Sequence, residues 1–469
     1  MRAPGPGGPM SALRRAWDFR TLRIPAIFVM TIAIFLLAMT AAYSLPQARI
    51  AKNLQKSVVR LKAEGRYPRP VFDSMAYRLD NFTDALMLDT AIAEKGKGPL
   101  FSALMGYHGN VIGSDGKADT IAALELSARE NRPLPGQYAY YWHGYQLPLR
   151  PALLLLTYGE IRYVNLMLLG TISLIVLLWL QRKAGTLAAA AFFYSLLATG
   201  FFIVPLSLQF SGVVYVMLCA VLAVLFIAGK PYESRADLEI FMVVGMTTAF
   251  VDLLTAPLLT LGMPLAVALI VRGRNSLRPD FRADLFYTAR LSAIWAFGYL
   301  ACWSAKWWIG SAVLKIDVVG SAMSQLLFRT GMGKAGPSVF EAVVRNSQNL
   351  LPLVSRSAMA SAVRGWPIVL VAGLAVVALC VWLFVFNHRP GADIAKAVPV
   401  LFVVPLPYAW FIVANNHSTI HYWFTYRIQA IAVFALVYFA LSCVDFGRLR
   451  AGLGTVQGDS ATSEERSDD

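Results

Sequence analysis

The sequence predicts an all-α polytopic integral membrane protein, with about ten transmembrane helices and a large extracytoplasmic first loop. Three observations carry that expectation. Of 469 residues, 57% are hydrophobic and only 15% are charged, against roughly a quarter charged in soluble domains. The apolar residues gather in runs of roughly 17–25, the length a helix needs to cross a bilayer; Ile24–Tyr43, Val164–Leu180 and Trp366–Phe386 are examples. Basic residues recur at alternate ends of these runs. In hydrocarbon a backbone N–H or C=O has no water to bond, so such runs are helices.

Taken in order, residues 1–23 form a cytoplasmic segment carrying Arg14, Arg15, Arg20 and Arg23. The first apolar run, 24–44, is too long for the core of a cleaved signal peptide and reads as an anchoring helix. Residues 45–162 are polar enough for a folded outer region with interfacial helices, and far longer than an ordinary connection. Helices two to seven fall in 163–314, with Arg182, Lys183, Lys230, Arg235, Arg272, Arg274, Arg278 and Arg282 in alternate connections. A second outer loop spans 315–364. Helices eight to ten occupy 365–446, with Arg389 and Lys396 in a connection and Arg448 and Arg450 beyond the last helix. The alternation is the positive-inside pattern, so both termini are expected in the cytoplasm of a cell (plasma or inner) membrane. Residues 447–469 read as a disordered cytoplasmic tail, rich in Ser and acids from Gln457 to Asp469. Much of the net charge of +15 is therefore a topology signal, and no nucleic-acid partner is expected. Cys219, Cys302, Cys380 and Cys443 lie in or beside apolar runs, spaced for neither a zinc site nor a redox pair.

Candidate chemistry gathers on the side opposite the basic residues. Asp80 and Asp84 are four apart and share a face if helical. Such a pair can act as a general base or hold a divalent metal; the alternative is a solvated face with Asp80 as an N-cap. Asn81-Phe82-Thr83 also fits a short glycosylation pattern. Tyr138 to Tyr145 is dense in aromatics that favour the headgroup level; His143 and Arg150, within and just after it, are less well explained by anchoring. Asp252 sits at a turn between two apolar runs, and Lys306 near a helix end. Ionisable groups at membrane depth are costly and usually pair or serve a pathway. His417 and His421 are four apart, but no third zinc ligand is evident, so anion binding with Arg427 is the favoured reading.

At these residues the chain resembles the polytopic GT-C glycosyltransferases, which take sugars from polyprenyl-phosphate carriers. The likeness rests on the acid-bearing first outer loop and on a return segment from His143 to Pro151, followed by Arg162 and Asn165, and it extends from the first span to about Gln209. The resemblance implies a polyprenyl-phosphate sugar donor, a glycan, lipid or protein acceptor, and Asp84 or Asp80 as the catalytic acid. No cofactor is implied with certainty; a divalent metal is the one candidate. His143, Arg150, Lys306, His417, His421, Arg427 and Asp252 become candidate substrate contacts, with Lys306, Arg427 and His143 set against the phosphate. Two rival readings are a polysaccharide polymerase or ligase, supported by Arg329, Lys334, Arg345, Arg356 and Arg364 in the second outer loop, and a lipid-linked sugar transporter or flippase.

Overall fold

The computed structural model describes residues 19–228, 236–332, 337–351 and 391–445, with scattered positions between 367 and 378. Most of the segment 1–23, most of the run Trp366–Phe386, Cys380, Arg389 and the tail 447–469 lie outside the described residues. The chain is helical almost throughout, as its composition requires. In chain order the helices are α1 (Phe19–Tyr43), α2 (Gln47–Glu64), α3 (Asn81–Asp89), α4 (Pro99–Met105), α5 (Thr120–Glu130), α6 (Gln146–Leu153), α7 (Tyr158–Lys183), α8 (Thr186–Ala198), α9 (Leu208–Ile227) and α10 (Ala236–Val251). There follow α11 (Leu259–Asn275), α12 (Phe281–Leu314), α13 (Val318–Thr330), α14 (Val339–Gln348), α15 (Gly391–Ala397), α16 (Leu406–Val413), α17 (Asn415–Ile420), α18 (Tyr422–Thr425) and α19 (Ala430–Cys443). A two-residue antiparallel pairing joins β1 (Tyr107–His108) to β2 (Gly136–Gln137).

Five helical stretches are long and apolar enough to cross a membrane: Arg23–Tyr43, Tyr158–Lys183, Leu208–Ile227, Ile394–Val413 and Tyr422–Cys443. The expectation of about ten is thus met only in part among the described residues. One reason is length: α8, α10 and α11 run to 13, 16 and 17 residues, although they pack beside the longer spans. The five differ in how they are covered. Only 17% of the Arg23–Tyr43 span is buried, against 67% of Tyr422–Cys443. The first is therefore a peripheral helix whose apolar flank needs lipid, and the second is a core helix.

Helix boundaries follow from local chemistry. α7 begins on a capping box, in which Thr157 and Glu160 bond each other's backbone, satisfying N–H groups that have no partner in the first turn. Asp280 caps α12 by accepting from the Ala283 N–H. Between helices, α10 and α12 approach closely where each carries a glycine. A Cβ on Gly245 would stand 2.2 Å from the Trp295 carbonyl oxygen, and one on Gly298 2.4 Å from that of Met242. Small residues of this kind let backbones meet inside a membrane, where dispersion rather than water exclusion holds helices together.

The region between α1 and α7 is not an open loop. α2 to α6 enclose their own apolar side chains, Leu54, Leu61, Leu88 and Leu124 among them, and dock on the ends of the long helices. Tyr138–Tyr145, expected at the membrane interface, is instead packed inward: Tyr141 and Trp142 are buried. The Trp142 indole donates to the Cys302 carbonyl at 2.9 Å, and the Trp307 indole of α12 donates to the Tyr140 carbonyl at 3.0 Å. Backbone carbonyls thus satisfy the polar edges that headgroups would otherwise have taken. Asn81 is also buried, so the glycosylation pattern is a chance match.

The close α10–α12 contact is directly testable. Gly298→Val should destabilise the folded protein by roughly 1–3 kcal/mol through overpacking, read as a fall in the thermal midpoint in detergent. Gly170→Val, where nothing lies within 4 Å of the added carbon, should leave that midpoint close to the wild-type value.

Candidate functional site

The acids of the first loop meet the bundle at one place. Asp84, in the first turn of α3, is completely buried. Its Oδ1 accepts from the Ser207 hydroxyl at 2.9 Å and the Gln209 N–H at 3.0 Å. Its Oδ2 accepts from the Tyr158 hydroxyl at 2.6 Å and the Leu208 N–H at 3.0 Å. A carboxylate has about four acceptor positions, and all are taken. The charge also faces the first turn of α9, where the aligned peptide dipoles favour an anion. Burial raises the Asp84 pKa, while Arg162 and the bonds from Tyr158, Gln209 and Leu208 oppose the rise.

Around it runs a network that ties four elements together. Arg162 of α7 contacts both Glu64 oxygens at 2.8 Å and the Asn81 Oδ1 at 2.9 Å, and it also donates to the Tyr158 hydroxyl. Asn165, one turn on, donates to Ser211 at 3.2 Å and accepts from Tyr215 at 3.1 Å. Asp80 is the N-cap of α3, accepting from the Thr83 N–H at 3.0 Å. Burial pushes its carboxyl up to about 6, opposed by that N–H and reinforced by the nearby Asp84 charge. The two acids and the Arg–Asn segment therefore form a joint between the loop region and the bundle.

Several other candidates are also committed to backbone. His143 has both ring nitrogens engaged, Nε2 with the Tyr138 carbonyl at 2.8 Å and Nδ1 with the Tyr145 hydroxyl at 2.8 Å. Nε2 must donate to the carbonyl, so Nδ1 accepts and the ring is neutral; burial pushes its pKa down to about 3. Arg150 lies over the Tyr43 ring and donates to the carbonyls of Ala42, Ala91 and Leu45. Lys306 donates to the Leu104 carbonyl at 2.6 Å. Arg427 donates to the carbonyls of Trp423 and Ala76 and packs over the rings of Phe210 and Tyr426. These four bind chain segments to one another. For any of them to contact a ligand would cost it these buried hydrogen bonds.

The remaining candidates converge. A cavity of about 320 Å³ lies between α12, α13 and the 410–417 stretch, walled by Tyr140, Tyr141, Tyr299, Trp303, Trp307 and Trp410. Leu300, Leu326 and Val413 form its rim and are 63%, 47% and 61% exposed. The cavity therefore opens sideways onto an apolar flank. Arg329, at the end of α13, and His417 lie within it. Nε2 of His417 pairs with the Leu254 carbonyl at 2.8 Å, and Nδ1 with an Arg329 guanidinium nitrogen at 2.6 Å. The carbonyl requires the proton on Nε2, so Nδ1 accepts from Arg329 and holds the guanidinium in place. Arg329 Nε and Trp410 Nε1 are buried without a hydrogen-bond partner among the described residues. Unmet donors at a cavity wall suit a ligand bearing acceptor oxygens.

Asp252 stands beside this cavity. It lies in the turn between α10 and α11, where Leu254 adopts a positive φ of 63° and lines the cavity. Its Oδ1 accepts from the Thr255 N–H at 3.0 Å, while Oδ2 is buried with no partner among the described residues. Burial raises its pKa to about 7 against the pull of the Thr255 N–H. His421 stacks near His417, ring centroids 4.7 Å apart, with its Nδ1 unpartnered among the described residues.

No family model, curated protein or solved structure matches the chain. Function must therefore be argued from the site. Among the described residues, no group of three or more His, Cys, Asp or Glu is placed to hold a metal ion. The sequence pointed to Asp252, His417 and His421, but it gave Arg329 no partner and left Tyr299 and Trp410 unmarked. A signal for the wall was present: Tyr299, Trp303 and Trp307 recur at every fourth position, one face of a helix.

The joint and the cavity make opposite predictions on mutation. Asp84→Asn puts amide hydrogens or a weaker acceptor against the α9 N–H groups, and should cost roughly 3 kcal/mol or more. It should appear as lost yield and a lowered thermal midpoint. Asp252→Asn, which leaves most of its surroundings unchanged, should purify as a stable, monodisperse protein.

Proposed function

We propose that this chain is a membrane glycosyltransferase that moves a sugar from a polyprenyl-phosphate donor to a cell-envelope glycan, lipid or protein on the extracytoplasmic face. The observation that carries the reading is the sideways-opening aromatic cavity with Arg329 fixed inside it by His417. A polyprenyl chain needs an apolar entrance from the bilayer, sugar rings stack on aromatic faces, and a departing phosphate needs a cation. One cavity offers all three.

The chemistry is assigned to different residues than the sequence suggested. Asp84 has no acceptor position to spare, so the base is placed on Asp252, whose Oδ2 has no partner among the described residues. Asp252 takes the proton of the acceptor hydroxyl as that oxygen attacks the anomeric carbon. The bond from that carbon to the phosphate oxygen breaks, and the negative charge left on the phosphate is met by Arg329. A fixed guanidinium at the point of developing charge acts as a preorganised electrostatic stabiliser. The polymerase or ligase reading keeps the same site, because Arg329 belongs to the second outer loop that suggested it.

The test is transfer in proteoliposomes, using purified protein, a panel of polyprenyl-phosphate sugars and envelope glycan acceptors. Asp252→Asn should lower kcat about 10²-fold or more with little change in KM. Arg329→Gln should lower kcat/KM about 10²-fold or more. Full turnover by Asp252→Asn contradicts the assignment of the base, and failure of the wild type with every donor contradicts the reading as a whole. The pH dependence has a definite sign. A base must be ionised to act, and the Asp252 carboxyl is raised to about 7, so kcat should climb as pH rises through 7 and fall away below it.

A further inference from the structure

A second cavity lies at the opposite end of the bundle. It has a volume of about 330 Å³ and is lined by Gly185, Thr186, Arg274, Lys396, Tyr438 and Ser442, with three small or apolar neighbours. The lining comes from four separate places in the chain: the α7–α8 turn, the end of α11, α15 and the end of α19.

Two cations reach this cavity with no ion-pair partner among the described residues. Arg272, two residues before Arg274, pairs with Asp284 of α12. Arg274 and Lys396 form no ion pair among the described residues. Arg274 also has a place made for it. A Cβ on Gly185 would lie 2.6 Å from its Nη1, so the absence of a side chain there admits the guanidinium against the turn. Gly185 has a φ of +96°, which a side chain would strain. The hydroxyls of Thr186 and Ser442 add polar edges to the same wall. Unpaired cations brought together at a helix-bundle surface repel each other, and the arrangement is relieved when an anion sits between them. Basic pockets between helices at the membrane surface are suited to phosphate-bearing headgroups.

We propose that the cavity between Gly185, Arg274 and Lys396 binds a phosphate group. A phospholipid headgroup and a soluble phosphate both carry that chemistry. The site is separate from the aromatic cavity and does not depend on the glycosyltransferase reading.

The experiment measures the thermal midpoint of the purified full chain in neutral detergent micelles against two probes, phosphatidylglycerol and inorganic phosphate, with zwitterionic phosphatidylcholine as the control lipid. At least one probe should raise the midpoint saturably and by more than phosphatidylcholine does. Response to the lipid alone assigns the site to a headgroup, response to inorganic phosphate alone to a soluble phosphate, and response to both to the phosphate group itself. The double variant Arg274→Gln/Lys396→Gln should need roughly tenfold or more of the probe for half-saturation, while Arg274→Lys/Lys396→Arg should stay near wild type. Arg182→Gln/Lys183→Gln removes two nearby charges that do not line the cavity, and should change little. Should the Gln double variant fail to fold, Thr186→Leu crowds the cavity without removing a charge and should also abolish the response. The proposal is overturned if neither probe saturates, if the Arg182/Lys183 pair weakens binding as much as the Arg274/Lys396 pair, or if Thr186→Leu responds like wild type.

Discussion

A buried carboxylate joins the loop region to two helices of the bundle at once, beside the bonds that Trp142, Lys306 and Arg427 make elsewhere. Asp84 accepts from two backbone N–H groups and the Ser207 hydroxyl at the start of α9, and from Tyr158 of α7. Burying that charge is expensive, and it is tolerable only because every acceptor position is filled and Arg162 stands behind it. The joint fixes α3 and α7 at the start of α9. The segment from Tyr138 onward docks against α12 through its own bonds, and Tyr140 and Tyr141 form part of the cavity wall.

The class of the protein was legible in the sequence, since apolar runs and the scarcity of charge leave few alternatives to helices in a membrane. The number of spans was less legible. Apolar composition does not report helix length, and α8, α10 and α11 stop at 13, 16 and 17 residues. Polar residues stood out in the sequence, but their partners could not be read. Asp84, Arg150 and Lys306 look alike in sequence as ionisable groups beside apolar runs, and what separates them from Asp252 is whether distant backbone has already claimed their bonds. Arg150 is claimed by Ala42, over a separation of 108 residues. Arg329 was marked only as one of five cations in the second outer loop, for the converse reason. Its significance depends on His417, 88 residues away, and no local spacing announces that pair.

The bundle therefore presents two chemically different ends. Towards the loop region, aromatic rings and a single fixed guanidinium surround an apolar entrance, which suits a ligand with a long hydrocarbon part and a small charged head. At the end carrying the Arg272 and Arg274 turn, a polar cavity with two cations lacking ion-pair partners among the described residues suits the charged head alone.

The central claim is that the aromatic cavity receives a lipid-linked phosphate, and a cryo-electron microscopy structure of the purified protein with polyprenyl phosphate tests it most directly. Density for the hydrocarbon chain is expected among Trp303, Trp307 and Trp410, entering past Leu300 and Val413, with the phosphate against Arg329. A phosphate bound instead at Arg427 or Lys306, or a cavity left empty at saturating lipid, would contradict it.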